Sequence, residues 1–228
     1  MQANEGKNLE IEIDGVTYIR IPVKTKVVGE GDTVPAVAKE FAGDIIQSGD
    51  VLFVSEKCVA CTQKRAIFMK DIHPSRLARI LCKFVYKSPY GIGLSIPETM
   101  EMALRECGRM RILWAAMCSA VCKLFGKRGV FYNIAGPKAR SIDGPCDCTL
   151  PPYNECVVLG PADPDGVAGE TAQAIGCKVC IVDLNDLGGA ILGVSHENMD
   201  REFLLRVLRD NPLGQSRQQT PMGIIRKV

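Results

Sequence analysis

Residues 179–194, VCIVDLNDLGGAILGV, join an apolar run to a turn rich in Asp, Asn and Gly, and then to a second apolar run. Both runs are short and contain β-branched residues, which is typical of buried strands. We therefore predict strands over Val179–Asp183 and Ala190–Val194. The polar residues between them lie where a strand ends, so this turn is the first place to look for chemistry.

The same pattern of short apolar runs and turn residues continues outward from this stretch. Asp14-Gly15 is a typical hairpin dipeptide between two of the predicted strands. Amphipathic or apolar segments with capping residues predict helices between the strands. The predicted strands are Leu9–Ile13, Val16–Val23, Val51–Ser55, Lys57–Gln63, Val130–Ala135, Glu155–Leu159 and Met222–Arg226, and the predicted helices are Thr33–Ala42, one beginning at Pro74, Glu98–Cys107, Met110–Phe125, one ending at Gly176, and Asp200–Arg209.

This order of elements predicts an α/β (mixed α+β) fold, with mixed sheets and flanking helices. At 228 residues the chain is short enough for one domain, 1–228, and the change in sequence character near residue 128 indicates a sub-domain seam there. The helix Met110–Phe125 is almost wholly apolar, so its Trp114 is expected in the core.

Composition excludes several classes of partner. The net charge of +2 gives no electrostatic reason to expect nucleic acid. The longest apolar stretch is interrupted by Lys123 and is shorter than the roughly 20 residues that a membrane span needs. The first ten residues are polar and acidic, unlike a signal peptide. We therefore expect no membrane partner and a cytoplasmic location.

The 11 cysteines are expected to be free thiols, because their number is odd and their spacing irregular. Two CxxC pairs, Cys58/Cys61 and Cys177/Cys180, lie in strand-like runs, where buried cysteine is favoured over zinc. Cys146 and Cys148 lie in a long loop rich in Gly and Pro. They form the most reactive-looking pair, although a structural or incidental role is favoured over catalysis.

The turn after the strand at residue 183 has the composition of an ion site. Asp183, Asn185 and Asp186 supply the carboxylate and amide oxygens that Mg²⁺ prefers. Gly188 would let backbone N–H groups approach phosphate oxygens. An ordinary β-turn has the same composition, so both interpretations stay open.

Three further segments are candidates for anion binding. The loop containing Gly214, Gln215 and Ser216 is rich in donors and either closes over a phosphate or simply connects two elements. Lys57 and Arg65 flank a predicted strand and would suit an anion. In Asp163-Pro164-Asp165-Gly166 we expect at least one carboxylate to cap a helix. No P-loop and no G-x-G-x-x-G motif occurs.

Taken in order, several segments resemble the coenzyme F420-0:L-glutamate ligase (γ-glutamyl ligase) family. The resemblance implies a γ-glutamyl-ligase-like fold in an intertwined homodimer, and the apolar Met110–Phe125 helix is a second reason to expect a dimer. It also implies that GTP and a divalent metal are used to join L-glutamate to a deazaflavin phosphodiester. The matching segments are residues 21–33, IPVKTKVVGEGDT; 48–65, SGDVLFVSEKCVACTQKR; 160–168, GPADPDGVA; 180–189, CIVDLNDLGG; and 211–227, NPLGQSRQQTPMGIIRK.

The family's functional positions are only partly kept. Its metal-binding Asp matches Asp183, but the Thr that follows is Leu184 here. An acidic residue of its late Gly-rich loop aligns with Gln215, and a Lys of its early strand pair falls at Cys61. The Asp of its NAGID motif has no direct match, since this chain has Lys138 in that region. Asp143, five residues after Lys138, is the candidate to take its place.

If the resemblance extends to activity, the implied reaction activates a carboxylate as an acyl phosphate, which an amine such as L-glutamate then attacks. The implied cofactors are Mg²⁺ or Mn²⁺ with GTP or another nucleoside triphosphate, and the acceptor would be a phosphorylated small molecule. Two alternatives remain: a non-catalytic nucleotide- or metabolite-binding homologue that has lost turnover, and an amide-forming enzyme outside deazaflavin chemistry. No catalytic residue is assigned. The residues carried forward are Asp183, Asp186 and Gln215 for metal; Lys57, Arg65, Asn185, Gly188, Gly214 and Ser216 for nucleotide or phosphate; and Lys138 and Asp143 for a substrate loop.

Overall fold

A computed structural model describes residues 2–85, 92–127, 129–186 and 188–228. The chain divides into two compact units. The first runs to Lys64 and also contains Cys148–Leu150 and Pro161–Val228, while the second contains Arg65–Asp147 and Pro151–Gly160. The predicted seam near residue 128 falls at a position outside the described residues and stays a prediction, as does the single domain.

Helices and strands alternate along the chain, which confirms the mixed α/β class. The strands are β1 Glu10–Ile13, β2 Val16–Val23, β3 Val51–Ser55, β4 Ala66–Phe68, β5 Cys156–Val158, β6 Lys178–Asn185, β7 Gly188–Val194 and β8 Met222–Lys227. The helices are α1 Val34–Ala42, α2 Glu56–Thr62, α3 Arg76–Leu81, α4 Pro97–Cys107, α5 Arg109–Leu124, α6 Val130–Ala135, α7 Pro137–Arg140, α8 Pro164–Ile175 and α9 Arg201–Leu208.

The first unit is built on a six-stranded mixed sheet in the order β1-β2-β8-β3-β6-β7. Strands β3 and β6 run parallel, and the other neighbours are antiparallel. The predicted hairpin between β1 and β2 is confirmed: Asp14 and Gly15 have φ of 52° and 75°, the left-handed pair that a two-residue hairpin turn requires.

Both faces of this sheet are covered, which explains its apolar runs. Alternate residues of β6 enter two different cores: Val179 and Ile181 pack with residues of α1 and α8, whereas Cys180 and Val182 pack with residues of α9. The sheet is therefore the middle of three layers. This arrangement holds the end of β6 at a defined position beside α8 and α9.

The second unit holds α3 to α7 and a two-stranded antiparallel sheet of β4 and β5. Its core is drawn from all five helices, from β5 and from the segments between them, with Leu94, Met100, Ile112 and Val157 fully buried. A backbone hydrogen bond between Arg65 and Leu159 continues the β4–β5 pair: Leu159 N donates to Arg65 O at a distance of 2.9 Å.

The predicted strand Lys57–Gln63 is wrong, because these residues form α2. Ser55 ends β3 in an extended conformation, and its hydroxyl accepts from the N–H of Cys58 over 3.3 Å, which caps the helix. The apolar residues of α2 are buried on several sides at once, so their run does not show the helical period that would have indicated this helix. The partners of β3 are instead β6 and β8, both more than a hundred residues later.

The predicted strand Val130–Ala135 is also wrong and forms α6. Its Val, Phe and Tyr favour a strand locally, but Asn133 N donates to Gly129 O and Gly136 N donates to Tyr132 O, as in a helix. Packing against α5 decides the outcome: Phe131 and Tyr132 join the core of the second unit. Tertiary contacts here override the local preference.

The helix predicted over Met110–Phe125 is confirmed as α5, but Trp114 is not in the core. Trp114 is 57% exposed, and the residues of α5 that are buried are Ile112 and Ala115.

None of the helices in the described parts of the chain meets the length and hydropathy that a membrane span requires.

Nine cysteines are free thiols in the described structure. Cys146 and Cys148, in contrast, are disulfide-bonded, so the expectation of free thiols is wrong for this pair.

Burial raises the pKa of the Cys58 thiol to about 12, with smaller contributions from Cys61 and Asp32. Burial likewise raises the pKa of Cys180 to about 12. Both thiols therefore stay protonated near neutral pH, and a protonated thiol is a poor metal ligand.

Candidate functional site

The end of β6 presents the polar residues expected from the sequence. Strand β6 extends two residues further than predicted, to Asn185, and pairs with β7 so that Asp183 lies opposite Ala190 and Asn185 opposite Gly188. Leu184 packs into the core beside α9, so the alternation of the strand places Asp183 and Asn185 on the other sheet face. Asp183 is half-buried, whereas Asp186, in the turn, is exposed.

Two of the predicted segments meet at Asp186. Its backbone N–H donates to Oε1 of Gln215 over 3.0 Å, a contact between residues 29 positions apart. The turn after β6 and the loop before β8 are therefore neighbours, as the prediction of one shared site requires.

A lysine that sequence reasoning did not select lies at the same place. Lys7 Nζ is 2.6 Å from Oδ1 of Asp186 and 2.9 Å from the backbone oxygen of Asp210. Asn211 Nδ2 approaches the same Asp186 oxygen at 3.4 Å. The side chain of Lys7 is 15% exposed and that of Asp186 is 56% exposed, so the pair is only partly screened by solvent.

The N-terminal segment is held in position by Asn4. Asn4 Nδ2 lies within 3.0 Å of the backbone oxygens of Pro212 and Leu213 and within 2.9 Å of Thr220 Oγ1. Lys7 N donates to Asn4 O, so a turn links the anchor to the lysine. These bonds tie the start of the chain to the loop that carries Gln215.

The loop between α9 and β8 is closed by its own side chains. Asn211 Nδ2 donates to Gly214 O, and Gly214 N donates back to Asn211 O. Gln218 spans Ser216, accepting from its N–H over 2.8 Å and donating to its hydroxyl over 2.9 Å. An anion bound by Ser216 would have to replace the half-buried Gln218 side chain.

The remaining predicted residues divide between the two units. Lys57 lies in the first turn of α2 in the first unit, and Cys61 is buried in the same helix. Arg65, Lys138 and Asp143 belong to the second unit. Within it, Arg65 donates to Glu106 over 2.8 Å and to Gly160 O, Lys138 lies on α7, and Asp143 exchanges backbone hydrogen bonds with Val158.

The Asp163–Gly166 segment caps a helix, as predicted. Asp163 Oδ1 accepts from Gly166 N over 3.1 Å at the start of α8, and Pro164 occupies the first turn. Asp165 is also in use: its Oδ1 accepts from Val194 N over 2.8 Å and from Arg201 over 3.1 Å. Both carboxylates therefore have structural roles.

The expected set Asp183, Asp186 and Gln215 does not fit a preformed divalent-metal site. The ammonium of Lys7 compensates the charge of Asp186, and the Gln215 oxygen already accepts an N–H. Over the described parts of the chain, no three His, Cys, Asp or Glu residues come together closely enough to hold a metal ion. Both of these contacts are made by Asp186, so Asp183 is kept as the candidate carboxylate.

Comparison with known proteins identifies the family of the chain. A search of curated proteins finds no match. The model of the F420-0:Gamma-glutamyl ligase family matches residues 22–186, which is more than half of the 228 residues. The match includes Lys57, Arg65, Lys138, Asp143 and the whole of β6, and it stops before Gln215. The chain is therefore a member of the F420-0:gamma-glutamyl ligase family.

Proposed function

We propose that the protein is a nucleotide- and divalent-metal-dependent amide ligase that activates a carboxylate for attack by an amine such as L-glutamate. Membership of a γ-glutamyl ligase family supports a ligase-type function. The observation that carries the finer proposal is the contact of Asp186 N–H with Gln215 Oε1, which joins two expected site segments. GTP, or another nucleoside triphosphate, is the proposed co-substrate.

The proposed reaction has two steps. A carboxylate oxygen attacks the γ-phosphorus, the bond to the nucleoside diphosphate breaks, and an acyl phosphate forms. The amine of L-glutamate then attacks the acyl carbon, phosphate leaves, and the amine gives up a proton. The glycines at 188 and 214 would allow backbone N–H groups to approach phosphate oxygens, and Lys57 would add positive charge. The acceptor that carries the carboxylate is proposed to be a phosphorylated small molecule.

The dependence on Mg²⁺ or Mn²⁺ belongs to the same proposal. Mg²⁺ is commonly held by one or two carboxylates together with substrate phosphates and need not have a protein cage of its own. Asp183, at the end of a buried strand, is the proposed carboxylate.

A homodimer and a cytoplasmic location are also proposed, on the grounds of the family resemblance. Sedimentation at micromolar concentration tests the dimer.

A binding protein without turnover is the second candidate, and the Lys7–Asp186 pair favours it. An ammonium that already compensates this carboxylate reduces the charge available to a metal–phosphate complex. Calorimetry with GTP, with and without Mg²⁺, followed by a phosphate-release assay with L-glutamate and candidate acceptors, separates the two. Binding with acceptor-dependent phosphate release supports the ligase, and binding without release supports the second candidate. No metal-dependent nucleotide binding at all would contradict both the ligase and a nucleotide-binding role.

A further inference from the structure

Helix α5 of the second unit has an exposed apolar face. Along this helix and its C-cap residue, the exposed apolar side chains recur at i, i+3, i+4, i+7, i+11, i+14 and i+15, so they lie on one side. Several are more than half exposed. The face consists of Met110, Leu113, Trp114, Met117, Val121, Leu124 and Phe125.

The opposite side of α5 already has its partners. Ile112 and Ala115 are buried in the core of the second unit. The apolar face is thus additional to what folding of this unit uses. Exposed apolar patches of this kind mark interaction surfaces.

The charged residues of α5 and of the turn after it are all basic. Arg109 and Arg111 lie at the N-terminal end of α5, on either side of the apolar stripe, and Lys123 and Lys127 lie at its C-terminal end. Residues 109–127 contain no Asp or Glu. The preceding helix α4 has three glutamates: Glu98 in its first turn, and Glu101 and Glu106, which pair with Arg105 and Arg65 respectively.

We propose that this face of α5 binds the surface of an anionic lipid bilayer. An apolar stripe that contains Trp, Leu and Phe and is flanked by Lys and Arg is the composition of a helix that lies in the membrane interface. Its apolar side chains would enter the boundary between headgroups and acyl chains, while the arginines and lysines reach the anionic headgroups. This is peripheral attachment, consistent with the finding that none of the described helices can span a bilayer. It departs from the expectation of no membrane partner.

A second copy of the chain fits the apolar face but not its charges. In antiparallel pairing across a two-fold axis, Arg109 and Arg111 would meet the partner's Lys123 and Lys127. In parallel pairing, each cation would meet its own counterpart. Like charges placed together across an interface disfavour association. A homodimer of this protein would therefore use another surface.

Trp114 makes the proposal directly measurable, because it is the only tryptophan and lies on this face. The full chain is mixed with vesicles of phosphatidylcholine containing phosphatidylglycerol, and with vesicles of phosphatidylcholine alone. We expect co-sedimentation and a blue shift of Trp114 emission with the anionic vesicles only, both weakened by salt. Lys123→Gln and Lys127→Gln should each weaken binding about fivefold, which corresponds to about 1 kcal/mol per basic residue near an anionic surface. Met117→Gln/Val121→Gln should reduce both the binding and the blue shift.

Matched controls come from the first unit. Lys39→Gln changes an exposed lysine of α1, and Val27→Ser changes an exposed apolar residue; both should bind vesicles like the parent chain. Circular dichroism of every variant checks that it is folded. The proposal is overturned if anionic vesicles at low salt neither bind the protein nor shift Trp114. It is equally overturned if Trp114 is already blue-shifted without lipid in a manner that disappears on dilution, since a second copy would then occupy the face.

Discussion

Lys7 Nζ lies 2.6 Å from Asp186 Oδ1 and joins two positions 179 residues apart in the chain. The same ammonium donates to Asp210 O, so the start of the chain, the turn after β6 and the end of α9 meet at one cation. A positive charge at this point lies against Asp186, one of the residues that the sequence offers as a metal ligand. Lys7 thereby sets how much negative charge the turn can offer to a ligand.

Lys7→Met is expected to expose Asp186 to other cations. Because Asp186 is more than half exposed, loss of the pair should lower the free energy of unfolding by only about 0.5–1 kcal/mol. Affinity for Mn²⁺ without nucleotide should rise, since the competing ammonium is gone. Calorimetry measures the affinity and urea denaturation the stability. Lys24→Met, at an exposed lysine of the same unit, is the control; equal Mn²⁺ affinity in both variants would show that Lys7 does not compete with metal.

Asp183→Asn tests the proposed carboxylate of the site. Asn keeps the size and hydrogen bonding of the side chain but removes one charge. We expect the affinity for GTP in the presence of Mg²⁺ to fall by roughly tenfold or more, about 1.4 kcal/mol, while the melting temperature without ligand stays nearly unchanged. Asp44→Asn, the same substitution at an exposed Asp, should leave affinity unaltered. Unchanged metal-dependent affinity in Asp183→Asn would remove Asp183 from the site.

Gly193→Ala is expected to disturb the contact between β7 and the first turn of α8. A Cβ at Gly193 would lie 2.4 Å from the carbonyl carbon and 2.5 Å from the oxygen of Pro164, both backbone atoms that cannot rotate away. Overpacking of this kind costs about 1–3 kcal/mol of unfolding free energy, measurable by urea denaturation. Gly169→Ala within α8 meets nothing within 4 Å and should instead stabilise by about 0.5–1 kcal/mol. Equal effects of the two changes would contradict the close approach.

Stability should fall at alkaline pH because of Cys58 and Cys180. Burial raises the pKa of both thiols from 9.0 to about 12 in the folded protein. Above pH 9 the unfolded chain therefore binds fewer protons than the folded one, so unfolding becomes easier as pH rises. The stabilisation is fully present below pH 9 and is lost towards pH 12, at about 1.4 kcal/mol per pH unit for each thiol.

Urea denaturation between pH 8 and 10.5 measures this slope. Cys58→Ala should flatten it by about one thiol's share, whereas Val59→Ala, which removes buried apolar atoms of the same helix and no thiol, should lower stability but leave the slope as in the parent chain. An identical slope in the parent and in Cys58→Ala would show that the Cys58 thiol ionises equally well in both states.

Local signals in the sequence account for much of the fold. Asp14-Gly15 specifies its hairpin because both positions need positive φ, and Asp163 with Gly176 marks the two ends of α8. The extent of α5 follows from its uninterrupted helix formers. Helices α2 and α6 could not be predicted in this way, because their β-branched and aromatic residues favour strands. Their helical conformation depends on tertiary packing, of α2 against β3 and of α6 against α5.

The sequence by itself determined the elements whose signal lies within a few residues: the strand and polar turn around Asp183, the caps of α8, and the segments matched by the ligase family. Only the tertiary structure decided that Gln215 meets Asp186, that Lys7 compensates this carboxylate, and that Trp114 faces outward. The reason is physical. Caps and turns depend on backbone angles and bonds between near neighbours, whereas charge compensation and burial depend on which distant segments the completed sheet and helices bring together.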